Sequence, residues 1–473
     1  MSIVYPEIKV LSKEQIEEIH FKSLKVLSKT GIRVDSKRAR QLFNEIIGGS
    51  STDNRIRIPA EIVEKAIKST PSSVDIYKRT GEKAFCLDSN NKSETFFGTG
   101  CTNLWYQDTE TEKIHAFNRK YVEQSTLLGN HLNNYDVIST PGIVKTETNK
   151  SVDLYTSLEL LANTTKPVVL LVADEKQFEN CLKLFIHMHG DISSLPFIIP
   201  YFNPVTPLIL NEDTVNKMYT TLEYDLPFIF SNFGMSGATT PITEAGTLVT
   251  LNAELLSGLV LTQIIKEGGK VILGSLPSVF DNKSMISAYT PQTILLNLAC
   301  AEMMSYYNIP HCGTSGSGTG WEADILGSGT LWMNHLTSCI GKVGLAPFVG
   351  GNFASLVYSP ETVVYSEEII RQARLFSKGF ELDDINVGLS EIDIAGRGGD
   401  FLTSDLTLNE FANKQSQHNK IWPAFTLDKW QSENSPKAKD ILKEHTLNII
   451  AELKAPDDHD ELITKGEEFI NKL

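Results

Sequence analysis

The chain has 473 residues, 41% of them hydrophobic and 21% charged, a globular balance that excludes wholesale disorder. Lys and Arg number 43 against 58 Asp and Glu, for a formal charge of −15. No local basic patch offsets that charge, so nucleic acid is not expected as a partner. The opening 15 residues lack an apolar run after a basic start, and no secretory signal is expected. The longest apolar stretch, residues 248–265, is interrupted by Asn252, Glu254 and Gln263 and reads as a buried helix, not a membrane span. Six cysteines stand without CxxC spacing, as expected of reduced core thiols in a cytoplasmic protein, with no bound metal.

Residues 1–93 read as an N-terminal helical extension. Ser12 followed by Gln15 is a capping-box pattern opening an amphipathic helix to about Thr30, and helices are predicted over 36–47 and 59–69. From residue 94 the pattern becomes repetitive. Short apolar runs begin at Thr95, Tyr135, Val168, Phe197, Phe228, Val271, Ile309 and Ala346, with helical segments predicted between them over 175–189, 213–224, 244–267, 291–307 and 331–342. Strand and helix alternating at this spacing predict βαβ units and a parallel sheet. Eight units with no topological switch point favour a (β/α)8 TIM barrel over residues 94–365 rather than a doubly wound open sheet. Residues 366–473 are predicted as a C-terminal helical tail.

Barrel active sites lie in the loops after the strands. Here those loops are rich in Gly, Asn, Thr and aromatics and poor in charge: Gly98-Thr99-Gly100-Cys101-Thr102-Asn103, Asn203-Pro204-Val205-Thr206-Pro207, Asn232 to Pro241, Thr314 to Trp321, and Gly350-Gly351-Asn352-Phe353. A Schiff-base lysine, paired glycosidase carboxylates or a metal triad would place charge at strand ends. The glycine run 313–320 lacks the Lys of a phosphate loop and the dinucleotide spacing. His187 and His189, two apart on a helix, diverge. Aromatics at loop mouths are more suggestive. Phe96, Phe97, Trp105 and Tyr106 from the first unit and Phe348 and Phe353 from the last come from strands that neighbour one another in a closed barrel. A box of aromatic faces suits a quaternary ammonium group, at about 2 kcal/mol when desolvated; the plainer reading is that they pack the barrel top.

The block Met235-Ser236-Gly237-Ala238-Thr239-Thr240-Pro241-Ile242-Thr243-Glu244-Ala245-Gly246, trailed by Asn252-Ala253-Glu254, resembles the trimethylamine methyltransferase superfamily. So do Ile19-His20, Lys166-Pro167, Asn203-Pro204 with Pro207-Leu208, and Gly398-Gly399 before Phe401-Leu402. The resemblance implies a TIM barrel that is the catalytic subunit of a corrinoid-dependent methyl transfer system. Trimethylamine-type members carry pyrrolysine inside the barrel. Here the neighbourhood reads Ala323 to Thr330 in ordinary residues, with Gly329 the expected equivalent. Relatives without pyrrolysine demethylate quaternary amines, and the chain resembles the glycine betaine branch most.

The resemblance thus implies methyl transfer from a quaternary amine to the Co(I) of a corrinoid carried by a partner protein. Glycine betaine, giving dimethylglycine, is the first expectation; carnitine, proline betaine and γ-butyrobetaine are alternatives. Glycines Gly316, Gly318, Gly350 and Gly351 would let the flat macrocycle approach. His311, Ser315, Asn334 and His335 are candidates to hold a substrate carboxylate, with core packing as the alternative for His311 and the Asn334-His335 pair. No acid or base is assigned, because catalysis of this kind is positioning. A homo-oligomer without membrane attachment is expected. A catalytically silent betaine- or corrinoid-binding protein is the second reading; an unrelated barrel such as an aldolase is the third, opposed by the lack of a lysine at a strand end.

Overall fold

The computed structural model describes residues 2–48, 54–89, 94–145, 152–172, 174–314, 316, 318–415 and 418–473. Eight parallel strands, β1 (Phe96–Thr99), β2 (Val137–Ser139), β3 (Val168–Leu170), β4 (Ile198–Phe202), β5 (Phe228–Ser236), β6 (Val271–Asp281), β7 (His311–Cys312) and β8 (Leu345–Val349), pair in sequence order. Strand β8 returns to β1, and Leu345 lies opposite Phe96. The sheet is therefore a closed (β/α)8 barrel, as the spacing predicts.

Among the described residues, three α-helices precede the barrel: α1 (Lys13–Lys25), α2 (Lys37–Ile47) and α3 (Ala60–Ser69). One helix follows each strand: α4 (Arg119–His131), α5 (Val152–Ala162), α6 (Glu175–His189), α7 (Glu212–Glu223), α8 (Glu244–Ile265), α9 (Pro291–Tyr307), α10 (Ile325–Ile340) and α11 (Pro360–Lys378). The predicted spans for α6 and α9 coincide with those observed. Ser12 closes its capping box with Gln15 at the start of α1. Beyond the barrel lie α12 (Asp384–Val387), α13 (Leu389–Ala395), α14 (Asp405–Gln415), α15 (Leu427–Ser432), α16 (Ala438–Glu452) and α17 (His459–Ile470).

Strand parity sorts the side chains. Val137, Val169, Ile199, Ile229, Ile272, Cys312 and Leu345 fill the barrel interior, while Ile138, Val168, Ile198, Phe228, Val271 and Leu273 face the helices. An antiparallel hairpin, Ser73–Tyr77 with Lys83–Asp88, closes the end where the strands begin. Its Val74, Ile76, Phe85 and Leu87 join the interior cluster. The alternation of a strand puts Asp75 on the other face, where it pairs with Lys83 at 2.7 Å. The helical reading of residues 1–93 misses this hairpin, because two short runs around a turn leave too little periodicity to recognise.

Helix α8 is long and apolar enough to cross a membrane, yet it is buried on nearly every side. It lies between the barrel and the N-terminal helices. His20 joins the two layers: its ring nitrogens bond Tyr307 Oη at 2.9 Å and Glu64 at 2.8 Å. Asn252 Nδ2 on α8 donates to the same Tyr307 oxygen and to Ser23 Oγ. The His20 and Asn252 of the family-like blocks thus serve the interlayer contact.

At Gly258 the axis of α8 comes so close to β5 that a Cβ there would stand 2.1 Å from the Phe230 ring. Alanine would favour the helix by roughly 1 kcal/mol, but overpacking costs about 1–3 kcal/mol. At 2.1 Å the upper end of that cost applies, so Gly258→Ala is expected to lose about 2 kcal/mol in denaturant unfolding; an unchanged or higher midpoint would refute the close contact.

Candidate functional site

The site is built where the strands end. Strands β5 and β6 continue past the barrel as a ribbon, paired from Phe228 opposite Val271 to Ser236 opposite Val279. The segment Ile286–Ala288 folds back against β6. The block from Met235 to Gly246 forms the turn at the ribbon's tip and the entry to α8. Thr247 Oγ1 donates to Pro241 O and lies 2.8 Å from both Ser236 Oγ and Thr240 Oγ1, and Thr243 caps the helix by accepting the Gly246 N–H.

Glu254, buried on α8, accepts Thr206 Oγ1–H and Leu208 N–H, both at 2.7 Å. It therefore pins the loop after β4, which contains the cis Thr206-Pro207 bond. Desolvation raises the pKa of this carboxyl. The pinned loop begins at Asn203, whose Nδ2 donates to Ser231 O at 3.0 Å and to Tyr201 Oη at 3.3 Å. Tyr201 faces the barrel axis, and its ring meets Phe348 edge-on at 5.0 Å. Burial pushes the Tyr201 phenol far above its ordinary pKa, so it stays neutral.

Above Tyr201 opens a cavity of about 270 Å3, lined by Thr102, Thr140, Leu171, Asn203, Asp153, Asp213, Lys217 and their neighbours. Lys217 Nζ is held by Asp213 and by Val172 O, each at 2.9 Å. Among the described residues, none of the eight strands places a charged side chain in the interior below the cavity, where Tyr201, Cys312 and Phe348 belong to one cluster with Cys101 packed against it. The only charges on the cavity wall, among the described residues, are Asp153, Asp213 and Lys217. Sequence reasoning gave no role to Asp153, Tyr201, Asp213 or Lys217, though it placed Asn203 in a strand-end loop. Parity held the signal, since if Ile199 faces inward then Tyr201 and Asn203 must follow.

The six aromatics expected at the mouth are not brought together. Phe348 alone stands inside the barrel beside Tyr201. Phe96 is at the other end, stacked on Phe85 of the hairpin at 4.3 Å. Phe97 points outward, where the Arg374 guanidinium lies 5.3 Å from its ring. Tyr106 is buried in the helix layer, stacked on Tyr121 at 4.0 Å, and donates to Gln124. Trp105 is half-exposed under Lys145, and Phe353 sits in the loop after β8, bonded to Gly320 O.

The carboxylate-holding candidates are likewise dispersed. His311 opens β7, far from the mouth. Its Nδ1–H donates to Val343 O at 2.7 Å, and burial lowers its pKa to about 4. Asn334 and His335 are buried on α10; the His335 ring meets Phe97 edge-on at 5.6 Å, and burial lowers its pKa to about 3. Ser315 lies outside the described residues. Gly329 is on the exposed side of α10 with open space around it, which corrects its expected place inside the barrel: a helix after β7 turns that position to solvent.

The four glycines do come together, but on one another. Gly350 N–H donates to Gly316 O at 3.3 Å and Gly318 N–H to Gly351 O at 3.0 Å, which zips the loops after β7 and β8. A Cβ on Gly350 would stand 2.3 Å from Val363. At Gly350 the close approach that glycine permits is therefore to the protein's own helix. Around the mouth, Ile242, Met285 and Trp321 on the loops after β5, β6 and β7, and Ile325 and Leu326 in the first turn of α10, are exposed.

Helix α16 braces this rim. Lys439 pairs with Glu322 at 2.8 Å and Lys443 with Glu112 at 3.0 Å. Glu361, at the start of α11 beside them, is raised to about 7 by desolvation, against the pull of both lysines. A carboxyl raised above its unfolded value of 4.5 makes ionisation costly to the fold as pH rises from about 4.5 to 7. Glu361→Gln should therefore stabilise the protein by about 3 kcal/mol at pH 8 and leave it unchanged at pH 4. Equal effects at both pH values in thermal melts would contradict this. Glu254→Ala, which strands two buried donors, should cost roughly 2–4 kcal/mol in the same melts.

The sequence profile of the family described as trimethylamine methyltransferase (MTTB) matches residues 2–472. The chain is 25% identical over 448 residues to trimethylamine methyltransferase MttB of Desulfitobacterium hafniense (strain DSM 10664 / DCB-2), covering 93% of this chain and 88% of that protein. It is 24% identical over 418 residues to a glycine betaine methyltransferase of Desulfitobacterium hafniense (strain Y51), covering 86% and 85%. Among solved structures, the Methanosarcina barkeri monomethylamine methyltransferase MtmB superposes with a TM-score of 0.53 at 10% identity, over 95% of this chain and 96% of that one. That likeness carries the barrel fold. With the profile spanning almost the whole chain, the protein belongs to the trimethylamine methyltransferase family.

Proposed function

We propose that this chain is a corrinoid-dependent methyltransferase that takes a methyl group from a quaternary amine, glycine betaine first, and releases dimethylglycine. The acceptor is a corrinoid carried by a partner protein, which supplies a Co(I) electron pair. The observation that carries the reading is the uncharged barrel axis under the cavity. Among the described residues, no carboxyl or amine lies in the interior cluster that holds Tyr201 and Phe348, and the charges of the cavity wall are Asp153, Asp213 and Lys217.

A quaternary ammonium needs no general acid. The C–N bond breaks in line as the new bond to cobalt forms, the bonding pair returns to nitrogen, and the amine leaves neutral. A tertiary amine would leave as an anion unless first activated. The chain's task is then to hold the substrate in an attack geometry and exclude water. Tyr201 and Phe348 offer π-electron density to the trimethylammonium end, and Asp153 and Asp213 add negative potential. Lys217 Nζ, Asn203 and the Thr102 and Thr140 hydroxyls are the donors nearest a carboxylate. The exposed apolar residues around the mouth, Ile242, Met285, Trp321 and Ile325, suit a docking protein that must bring its corrinoid over the opening. The likeness to a glycine betaine methyltransferase supports this substrate class. We further propose a cytoplasmic location.

The test is anoxic absorbance with the cognate corrinoid protein or free cob(I)alamin. Glycine betaine, carnitine, proline betaine, γ-butyrobetaine and trimethylamine are each added alone. The expected result is loss of the Co(I) band with glycine betaine and none with trimethylamine. Tyr201→Ala should lower kcat/KM about 30-fold, equivalent to a desolvated cation–π contact of about 2 kcal/mol. No turnover with any quaternary amine, while glycine betaine still binds in calorimetry, would leave a silent binding protein as the account.

A further inference from the structure

The cavity above Tyr201 has two sides of different chemistry. Toward the barrel axis its wall is the Tyr201 ring, edge-on to Phe348. Toward the helix layer it meets the start of α5, at Val152 and Asp153, and the start of α7, at Asp213, Thr214 and Lys217.

The start of α7 is left unfinished. Helix starts carry N–H groups with no intrahelical acceptor, and an N-cap side chain ordinarily takes one of them. Asn211 stands at the N-cap of α7, yet its side chain accepts no N–H from the first turn. An uncapped helix start facing a cavity favours an anion, and a second group points the same way. Lys217, on the same helix, is 7% exposed. An ammonium has three N–H donors. Val172 O takes one and Asp213 Oδ2 another, each at 2.9 Å, and no third acceptor stands at Nζ among the described residues. Both acceptors line the cavity with Lys217, which leaves the third donor to an occupant of that space.

Charge then decides which occupant gains. The wall holds one cation against two carboxylates, a net charge of −1. Asp153 is directed to the start of α6, where it accepts the Asp174 N–H at 2.9 Å. Asp213 balances Lys217. A carboxylate-free cation meets the whole negative wall, whereas a zwitterion gains only if Lys217 takes its anionic end.

Resting on the quaternary-amine reading above, we propose that Lys217 and the first turn of α7 seat the substrate's carboxylate. The balance between Lys217 and Asp213 then sets the choice between zwitterionic betaines and quaternary amines without a carboxylate. The carboxylate is remote from the methyl group that moves, so the seat holds ground state and transition state alike. Its loss therefore appears in KM rather than kcat. Lys217 is a specificity-determining residue and takes no part in breaking the C–N bond.

Glycine betaine and choline test this, because they share the trimethylammonium end and only the first has a carboxylate. Each is measured on wild type, Lys217→Met and Asp213→Asn with the cognate corrinoid protein, choline as substrate or as competitive inhibitor. Lys217→Met is expected to raise KM for glycine betaine about 50-fold, the size of a lost charge-assisted hydrogen bond, with kcat within about 3-fold. The same variant should tighten choline, since the wall becomes more negative. Asp213→Asn leaves Lys217 its full charge and should do the reverse, lowering KM for glycine betaine about 5-fold and weakening choline. A purely structural role would move both compounds in one direction. Parallel shifts for the two compounds in either variant, or an unchanged glycine betaine KM in Lys217→Met, overturn the seat. Calorimetry on the same three proteins separates this from failure of the reaction. If wild type demethylates no quaternary amine, the reaction reading falls, while opposite shifts in Kd for the two compounds still support the seat. A wild type that binds neither compound overturns both.

Discussion

Closure of the parallel sheet is the constraint on which the rest of the structure depends. Once β8 hydrogen-bonds to β1, every strand residue has one of two environments, the barrel axis or the helix layer, and its neighbours' parity decides which. This parity sends Phe97 out to the helix layer and Tyr201 in toward the axis. It also confines the open space to the end where the strands finish, because the hairpin of Val74, Ile76, Phe85 and Leu87 occupies the other end. Both β5 and β6 then run on beyond the barrel as a paired ribbon, while the cavity above Tyr201 is lined by the ends of β2 to β4 and the starts of α5 and α7.

The polar groups divide by task along the same axis. Buried charges in this molecule are mostly structural clasps. Glu254 holds the loop after β4, and the half-buried Glu302 accepts the Val10 and Leu11 N–H groups. Arg374 binds Asp136 at 2.6 Å beneath β1 and β2. Such groups are costly to bury and stay because each has its partners. None of them faces the interior near Tyr201. A reaction in such a space has positioning and desolvation available to it, and quaternary ammonium chemistry asks for little else.

Much of the architecture was legible in the residue pattern. The runs at Val168, Phe197, Phe228 and Val271 are continuous apolar stretches of strand length between amphipathic helices, which is how a two-sided buried parallel strand is written. The family-like blocks were equally visible, and the structure gives their residues physical duties: Asn252 to Tyr307 and Ser23, Glu254 to Thr206 and Leu208. The candidate site was less legible. Phe96 and Phe97 are adjacent and identical in type, yet one meets the closing hairpin and the other an arginine on α11. Nothing local distinguishes them, because the difference lies in partners 11 and 277 residues away.

By itself the sequence determined the alternation of strands and helices, the scarcity of charge in the strand-end loops, and the resemblance to a methyltransferase family. These depend on periodicity, composition and local blocks, all of which are short-range. Only the tertiary structure decided which aromatic stands in the barrel, that the glycines after β7 and β8 zip to one another, and that His311 sits at the end away from the mouth. Those outcomes depend on inward or outward parity and on height along the barrel axis. Both are set by register with strands distant in sequence, and a one-residue change in register would exchange inside for outside.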